Sequence, residues 1–266
     1  MKRAEIASFF KLPKLTYRVW KVWQRDFDVF MKTWKVNFFP PLLEPIFFLV
    51  AMGYGLGSFV EPIQGLSYIQ FIAPALVSIS IMYSSFFECT YGSFVRMYYQ
   101  KTFDAIIATP ISIEEVIAGE LLWGATRSLI SSIIVLGVVG AFGLISSPLF
   151  ILILLVAFLG GLMFSTIAMV FTSLAPSIDF FNYPAFLFIT PMFLLSGTFF
   201  PLTSLPPFMQ VFAKTFLPLT HVVNLTRSFI IGNLETSLII SLIWIAAVTP
   251  VFFVLSINLM KRRLIK

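Results

Sequence analysis

The chain has 266 residues, of which 59% are hydrophobic and only 11% charged, with 32 Phe and a net charge of +6. Its mean hydropathy of +0.96 lies far outside the range of soluble domains, which need a charged surface that this chain lacks; it is read as an integral membrane protein. A single cysteine, Cys89, excludes an intramolecular disulfide, and its apolar neighbours point to packing.

The first 37 residues alternate charges with aromatics and hold no short apolar core followed by a cleavage site. Targeting is therefore expected to fall to the first uncleaved span. Residues 14–35, KLTYRVWKVWQRDFDVFMKTWK, place Leu15, Val19, Trp23, Phe27, Phe30 and Trp34 at helical spacing with Lys and Arg between them. That pattern predicts an amphipathic helix in the membrane interface, Trp at headgroup level and cations toward anionic lipid. An ordinary basic flank is the plainer alternative.

A hydrocarbon core about 30 Å thick needs roughly 20 apolar residues as helix. Six stretches qualify, at about 40–60, 67–90, 115–143, 149–174, 182–200 and 236–259. They are apolar all round rather than alternating, which predicts helices and not a β-barrel. The expected fold class is an all-α integral membrane protein with six transmembrane helices. Breaks fall at Gly65, Ser146-Ser147-Pro148, Ala175-Pro176-Ser177 and Gly232-Asn233. No internal repeat is found.

Between the second and third spans lies YGSFVRMYYQKTFDAIIATPISIEE (91–115). Pro110 disfavours helix at Thr109, and Ser112 stands three residues before Glu115, the capping-box spacing for a helix starting near Ile113. A short helix to about Ala108, bearing Arg96, Lys101 and Asp104, then a turn, is the expectation. It is either a handle for a soluble partner or a loop whose charges solvate the membrane edge. The proline-dotted, apolar segment 199–232 is long for a connector, and short half-helices dipping into one leaflet would suit it.

Lys and Arg set the orientation. Nine lie between Lys2 and Lys35, four in the tail KRRLIK, and Arg96 and Lys101 in the loop after the second span. Fifteen of the eighteen thus fall on one side, which predicts both termini cytoplasmic and Lys214 and Arg227 outside. The basic excess is then a topology signal, not a nucleic-acid surface.

Charges within the spans need partners, since each costs roughly 2.5–3.5 kcal/mol in hydrocarbon. Glu120 and Arg127 lie seven residues apart, on one face of the third helix and about 10.5 Å apart along it. Glu44 and Glu88 lie near the cytoplasmic ends of the first two spans and are expected to reach that face. Arg127 is expected to hold an acidic or carbonyl partner, with Glu120 and Glu44 as the acidic candidates. The set is either an ion-pair network locking three helices or a polar substrate or gating contact.

No catalytic constellation appears. The chain lacks a G-x-x-x-x-G-K-[ST] phosphate loop, so it is not expected to hydrolyse ATP, and it lacks a G-x-S-x-G elbow. His221 is the only His, which rules out multi-His metal ligation and points to a packed or hydrogen-bonded ring. Asn224-Leu225-Thr226 matches a glycosylation sequon, but so short a motif recurs by chance.

Three blocks, in order and spacing, resemble type-2 ABC exporter permeases. They are LEPIFFLVAMGYGLG (43–57) with Glu44-Pro45, KTFDAIIATPISIEEVIAGELLWGATR (101–127) and LLSGTFFPLTSLPPFMQVFAKTFLPLTHVVNLTRSFIIG (194–232). The similarity covers nearly the whole chain, and the branch it most resembles exports nodulation-factor lipo-oligosaccharides. Neighbouring branches move drugs or surface polysaccharides. The resemblance implies one type-2 ABC transmembrane domain over residues 1–266, with 1–37 cytoplasmic and 38–266 the six-span bundle, in a prokaryotic inner membrane. It implies a coupling helix at about Arg96–Ala108, with Arg96, Tyr98, Gln100, Lys101, Thr102, Phe103 and Asp104 facing an ATPase subunit. It implies that 14–35 is the interfacial helix and 199–232 an extracytoplasmic re-entrant hairpin, marked by Gly197, Pro201, Pro206, Pro218, His221 and Arg227. The permease is expected to form a homodimer, to meet membrane lipid, and to sit above two ATPase subunits that bind ATP and Mg. The competing classes are a secondary transporter, for which the inverted repeats and acid relay are not found, and a non-transporting scaffold of a polymer-assembly complex.

Overall fold

The computed structural model describes residues 12–265; Lys2, Arg3, Lys11 and Lys266, which enter the orientation argument, lie outside them. Six helices among the described residues are long and apolar enough to cross a membrane. They are the first to sixth spans, Val19–Phe59, Tyr68–Tyr99, Ile113–Ala141, Pro148–Leu174, Ile178–Leu195 and Ser237–Leu264. The described residues contain no strand, only an isolated bridge from Ile63 to Leu66 around the left-handed Gln64-Gly65 turn. The second, third and fourth spans form the core, while the first, fifth and sixth show apolar flanks outward.

The first span departs from expectation. The interfacial helix anticipated at 14–35 is not a separate element, because one α-helix runs from Val19 to Phe48 through Pro40, Pro41 and Pro45. Wider turns at Leu49–Gly55 and a tighter one at Leu56–Phe59 complete the span. The proline-bearing stretch stays helical because no other backbone conformation satisfies its neighbours' polar groups in hydrocarbon. The N-terminal half is held by protein. Val19 and Val22 are buried on the third span, where a Cβ at Gly119 would stand 2.5 Å from Val22 Cβ. Trp23 Nε1 donates to Thr126 Oγ1 at 2.8 Å. Trp20, stacked on Trp23, and Trp34 stay exposed.

The second span overruns its expected end. After Tyr68–Phe87, wide π-type turns at Glu88–Gly92 and Val95–Tyr99 carry the helix past residue 90. Lys101 then adopts a left-handed conformation (φ 54°), which breaks the axis, and a separate loop helix spans only Thr102–Ile107. The anticipated loop helix from Arg96 is thereby shortened, and Arg96 and Tyr98 belong to the second span. The capping box is present as expected. Ser112 Oγ accepts from Glu115 N at 3.3 Å, and Glu115 Oε2 accepts from Ser112 N at 2.8 Å.

The third and fourth spans approach closely through small residues. A Cβ on Gly161 would collide with Ser128 Oγ, and one on Gly124 with Ser165 Oγ and Cys89 Sγ. Ser128 Oγ donates across to Ala157 O at 2.7 Å. In the segment 199–232, two short helices, Pro207–Phe216 and Pro218–Ile231, meet at Leu217. The second packs on the second span, where Thr226 and Ser78 share a hydroxyl hydrogen bond of 2.5 Å.

One end of the bundle gathers three segments distant in sequence. Glu114 accepts from Lys14 N at 2.6 Å and pairs with Lys261 Nζ at 2.5 Å, and Arg263 donates to Thr172 O. At the opposite end Ser146 N donates to Ile230 O at 3.1 Å.

Candidate functional site

Where the first three spans meet, charged side chains converge. Glu120 and Trp123, with Arg127 two turns on, share a face of the third span; Glu88 and Arg96 come from the wide turns of the second. A Cβ on Gly92, between them, would stand 2.9 Å from Glu88 Oε1 and 3.3 Å from Arg96 Nη1, so glycine leaves room for the pair. Arg96 Nη2 meets Glu120 Oε2 at 2.6 Å, Nε meets both Glu120 oxygens at 3.0 Å, and Nη1 meets Glu88 Oε1 at 2.8 Å. Ser93 Oγ also donates to Glu120 Oε2, at 2.6 Å. Glu120 is 0% exposed, so its charge is stabilised wholly by these partners.

Arg127 is held differently. Its Nε lies 3.2 Å from Glu88 Oε2 without hydrogen-bond alignment, its Nη2 donates to Asn37 Oδ1 at 3.0 Å, and its guanidinium lies 4.8 Å from the centre of the Phe30 ring. Glu88 Oε1 further accepts from Trp123 Nε1 at 3.0 Å. On the first span, buried Asp26 meets Arg25 Nη1 at 2.9 Å and Arg96 Nε at 3.9 Å.

The expected pairing of Arg127 with Glu120 or Glu44 is thus replaced. Glu120 is taken by Arg96 and Arg127 by Glu88, while Glu44 stands apart on the wall of a cavity. Sequence alone places Arg96 in the loop and does not mark Asp26, Asn37, Ser93 or Trp123. Two signals were available: Asp26 continues the stripe of Val19 and Val22 at helical spacing, and Glu88 and Arg96 lie about two turns apart.

Two cavities flank the cluster. One of 590 Å³ opens among the first three spans and Phe193, and one of 400 Å³ lies toward Arg25 and Gln100; Asn37, Glu88, Gly92 and Arg127 line both. The Asn37–Arg127–Glu88 contacts form the partition between them. Such a partition can separate two chambers and can be broken by moving any of the three helices that supply it.

At the loop, Tyr98, Gln100, Lys101 and Asp104 are exposed, Thr102 is half-buried, and Phe103 is buried as the anchor that fixes the loop helix. Lys101 Nζ lies 5.4 Å from the centre of the Tyr98 ring. In the other anticipated segment, Gly197 takes a left-handed φ of 76° and its carbonyl accepts from Arg227 Nη2 at 2.8 Å. Arg227 also stacks over Phe71, with 4.0 Å to the ring centre. His221 stacks on Trp244 at 4.5 Å and shares a 3.2 Å hydrogen bond with Ser241 Oγ. Pro201 precedes the Leu202–Ser204 turn, Pro206 precedes the first short helix, and Pro218 opens the second. Asn224, of the sequon match, donates to Ser237 and Ser241.

Residues 17–231, which contain every member of the charged cluster, match the ABC-2 type transporter family. The chain belongs to that family. It is 34% identical to nodulation protein J of Sinorhizobium fredii over 246 residues, covering 92% of this chain and 93% of that one. Against nodulation protein J of Rhizobium meliloti the identity is 35% over 245 residues, with 91% and 92% covered. The inner membrane transport permease YadH of Escherichia coli is 26% identical over 189 residues, 71% of this chain and 73% of its own. This ABC-2 protein is therefore a multi-pass membrane permease, the transmembrane subunit of an ABC exporter.

Proposed function

We propose that this permease moves an amphipathic lipid- or glycan-linked molecule outward, driven by a separate ATPase subunit bound in two copies beneath a homodimer. ATP and Mg are held by that partner; this chain supplies the path and the docking surface. The N-terminal segment, the loop helix Thr102–Ile107 and the C-terminal tail face the cytoplasm of a prokaryotic cell, and the hairpin of Pro207–Phe216 and Pro218–Ile231 re-enters the outer leaflet. The observation that carries this reading is the meeting of the three basic segments at one end, where Glu114 joins Lys14 and Lys261 beside the loop helix. Positive charge is retained on the cytoplasmic side of a membrane. Exposed Lys101 and Asp104 flank a buried Phe103, so a partner that grips them pulls on a short helix joined through Lys101 to the turn that carries Arg96 and the charged cluster.

The test is co-expression with the ATPase and replacement of Lys101 and Asp104 by Ala. Neither residue makes a salt bridge among the described residues, and even an exposed pair is worth only up to about 1 kcal/mol. The double variant is expected to insert normally but to lose ATPase co-purification or substrate-stimulated hydrolysis. Normal assembly and export would refute the docking assignment.

A further inference from the structure

The 590 Å³ cavity holds a carboxylate that no cation among the described residues answers. Three charged residues line it, Glu44, Glu88 and Arg127. Glu88 and Arg127 compensate each other at the partition, 3.2 Å apart. Glu44 is exposed and makes no salt bridge among the described residues.

Its surroundings are aromatic. Phe48, Tyr83, Phe87 and Phe193 line the same cavity, with Tyr83 stacked on Phe87 at 5.5 Å and tilted against Phe193 at 6.1 Å. The backbone adds to the negative potential. Pro40, Pro41 and Pro45 have no N–H to give the carbonyls four residues back, those of Val36, Asn37 and Pro41 itself, and all five residues line this cavity. Those carbonyl dipoles lack the donors that an unbroken helix would supply.

A carboxylate and aromatic faces share one preference, for positive charge. A small divalent cation would want six or more oxygen ligands in a closed shell. This cavity is wide and mostly apolar, which suits a charge carried on a large hydrophobic body. We propose that it binds a lipophilic organic cation, an ammonium or phosphonium centre on an apolar frame, with Glu44 as its counter-charge. The inference rests on the permease reading in treating that occupant as cargo, so a cationic amphiphile becomes a substrate class of this exporter.

The experiment is equilibrium dialysis of the purified full-length protein in nanodiscs. The probes are labelled tetraphenylphosphonium and tetraphenylborate, nearly identical in shape and opposite in charge. The wild type is expected to hold the phosphonium in preference to the borate. Glu44→Gln should weaken phosphonium binding by about tenfold or more, as loss of a full counter-charge in a partly dry site requires, and leave the borate unchanged or tighter. Tyr83→Leu should weaken the phosphonium several-fold by removing one ring face. Equal binding of the two ions by the wild type would overturn the proposal, as it would if a second copy already neutralised Glu44. An unchanged phosphonium affinity in folded Glu44→Gln, or the same loss for both ions, would also overturn it. Should that variant not fold, Glu44→Asp and Tyr83→Leu carry the test, and unaltered affinity in both refutes it. Binding needs no ATPase, so failed export with intact charge selectivity counts against the permease reading alone, and lost selectivity with intact export against this inference alone.

Discussion

Arg96 is the residue whose removal should cost the fold most among the membrane charges. It lays three hydrogen bonds on Glu120 at 2.6–3.0 Å and one on Glu88 at 2.8 Å, and Glu120 has no solvent to fall back on. Truncating one member of such a pair typically costs about 3–5 kcal/mol, most of it the penalty of an orphaned buried charge. Arg96→Ala should fall in that range. Glu120→Gln alone strands Arg96 less, because Glu88 and Asp26 remain beside it. The double variant Arg96→Leu with Glu120→Gln should recover much of the loss, giving a coupling energy of about 3 kcal/mol. Arg127 and Glu88 meet without an aligned hydrogen bond, so their cycle should give about 1 kcal/mol, near the value of a partly exposed pair. Both cycles can be read from reversible unfolding in mixed micelles, with export measured on the same variants. Export retained in the Arg96/Glu120 double variant identifies a structural lock; a folded but inactive double variant identifies a working contact. Full additivity of the Arg96 and Glu120 changes, or a stronger coupling of Arg127 with Glu120, would refute the pairing.

Gly161→Val should cost about 1–3 kcal/mol, the range of core overpacking, because Ser128 Oγ occupies the space its side chain needs; an unchanged melting temperature would contradict the close approach of the third and fourth spans. Ser112→Ala should cost about 1 kcal/mol in a thermal melt by removing the acceptor of Glu115 N, with Ser112→Asp largely restoring it. Burial on Trp244 holds the His221 imidazole below its ordinary pKa. The folded state then binds fewer protons there than the unfolded one, so stability should fall as pH drops below about 6.5, and His221→Gln should flatten that slope in unfolding measured from pH 8 to pH 5.

Much of this architecture is local in origin and was legible in the chain. A run of about 20 apolar residues commits itself to helix in hydrocarbon whatever its neighbours are, and Ser112 with Glu115 fixes a helix start through its own backbone. The breaks at Gly65, Ser147-Pro148 and Ala175-Pro176 are likewise properties of a few adjacent residues. The candidate site was legible only in part: Glu88, Glu120 and Arg127 stood out as charges in apolar surroundings, but their partners did not. Pairing depends on the rotation of one helix against another, and the wide turns at Glu88–Gly92 and Val95–Tyr99 change that rotation by an amount no periodicity reveals. They swing Arg96 inward onto Glu120 and one oxygen of Glu88, whose other oxygen meets Arg127. In the same way, the Trp23 stripe reads as a surface for lipid until Gly119 and Thr126 of the third span offer a closer one. An amphipathic helix states only that one face is to be covered; which surface covers it is decided by what the rest of the chain brings within reach.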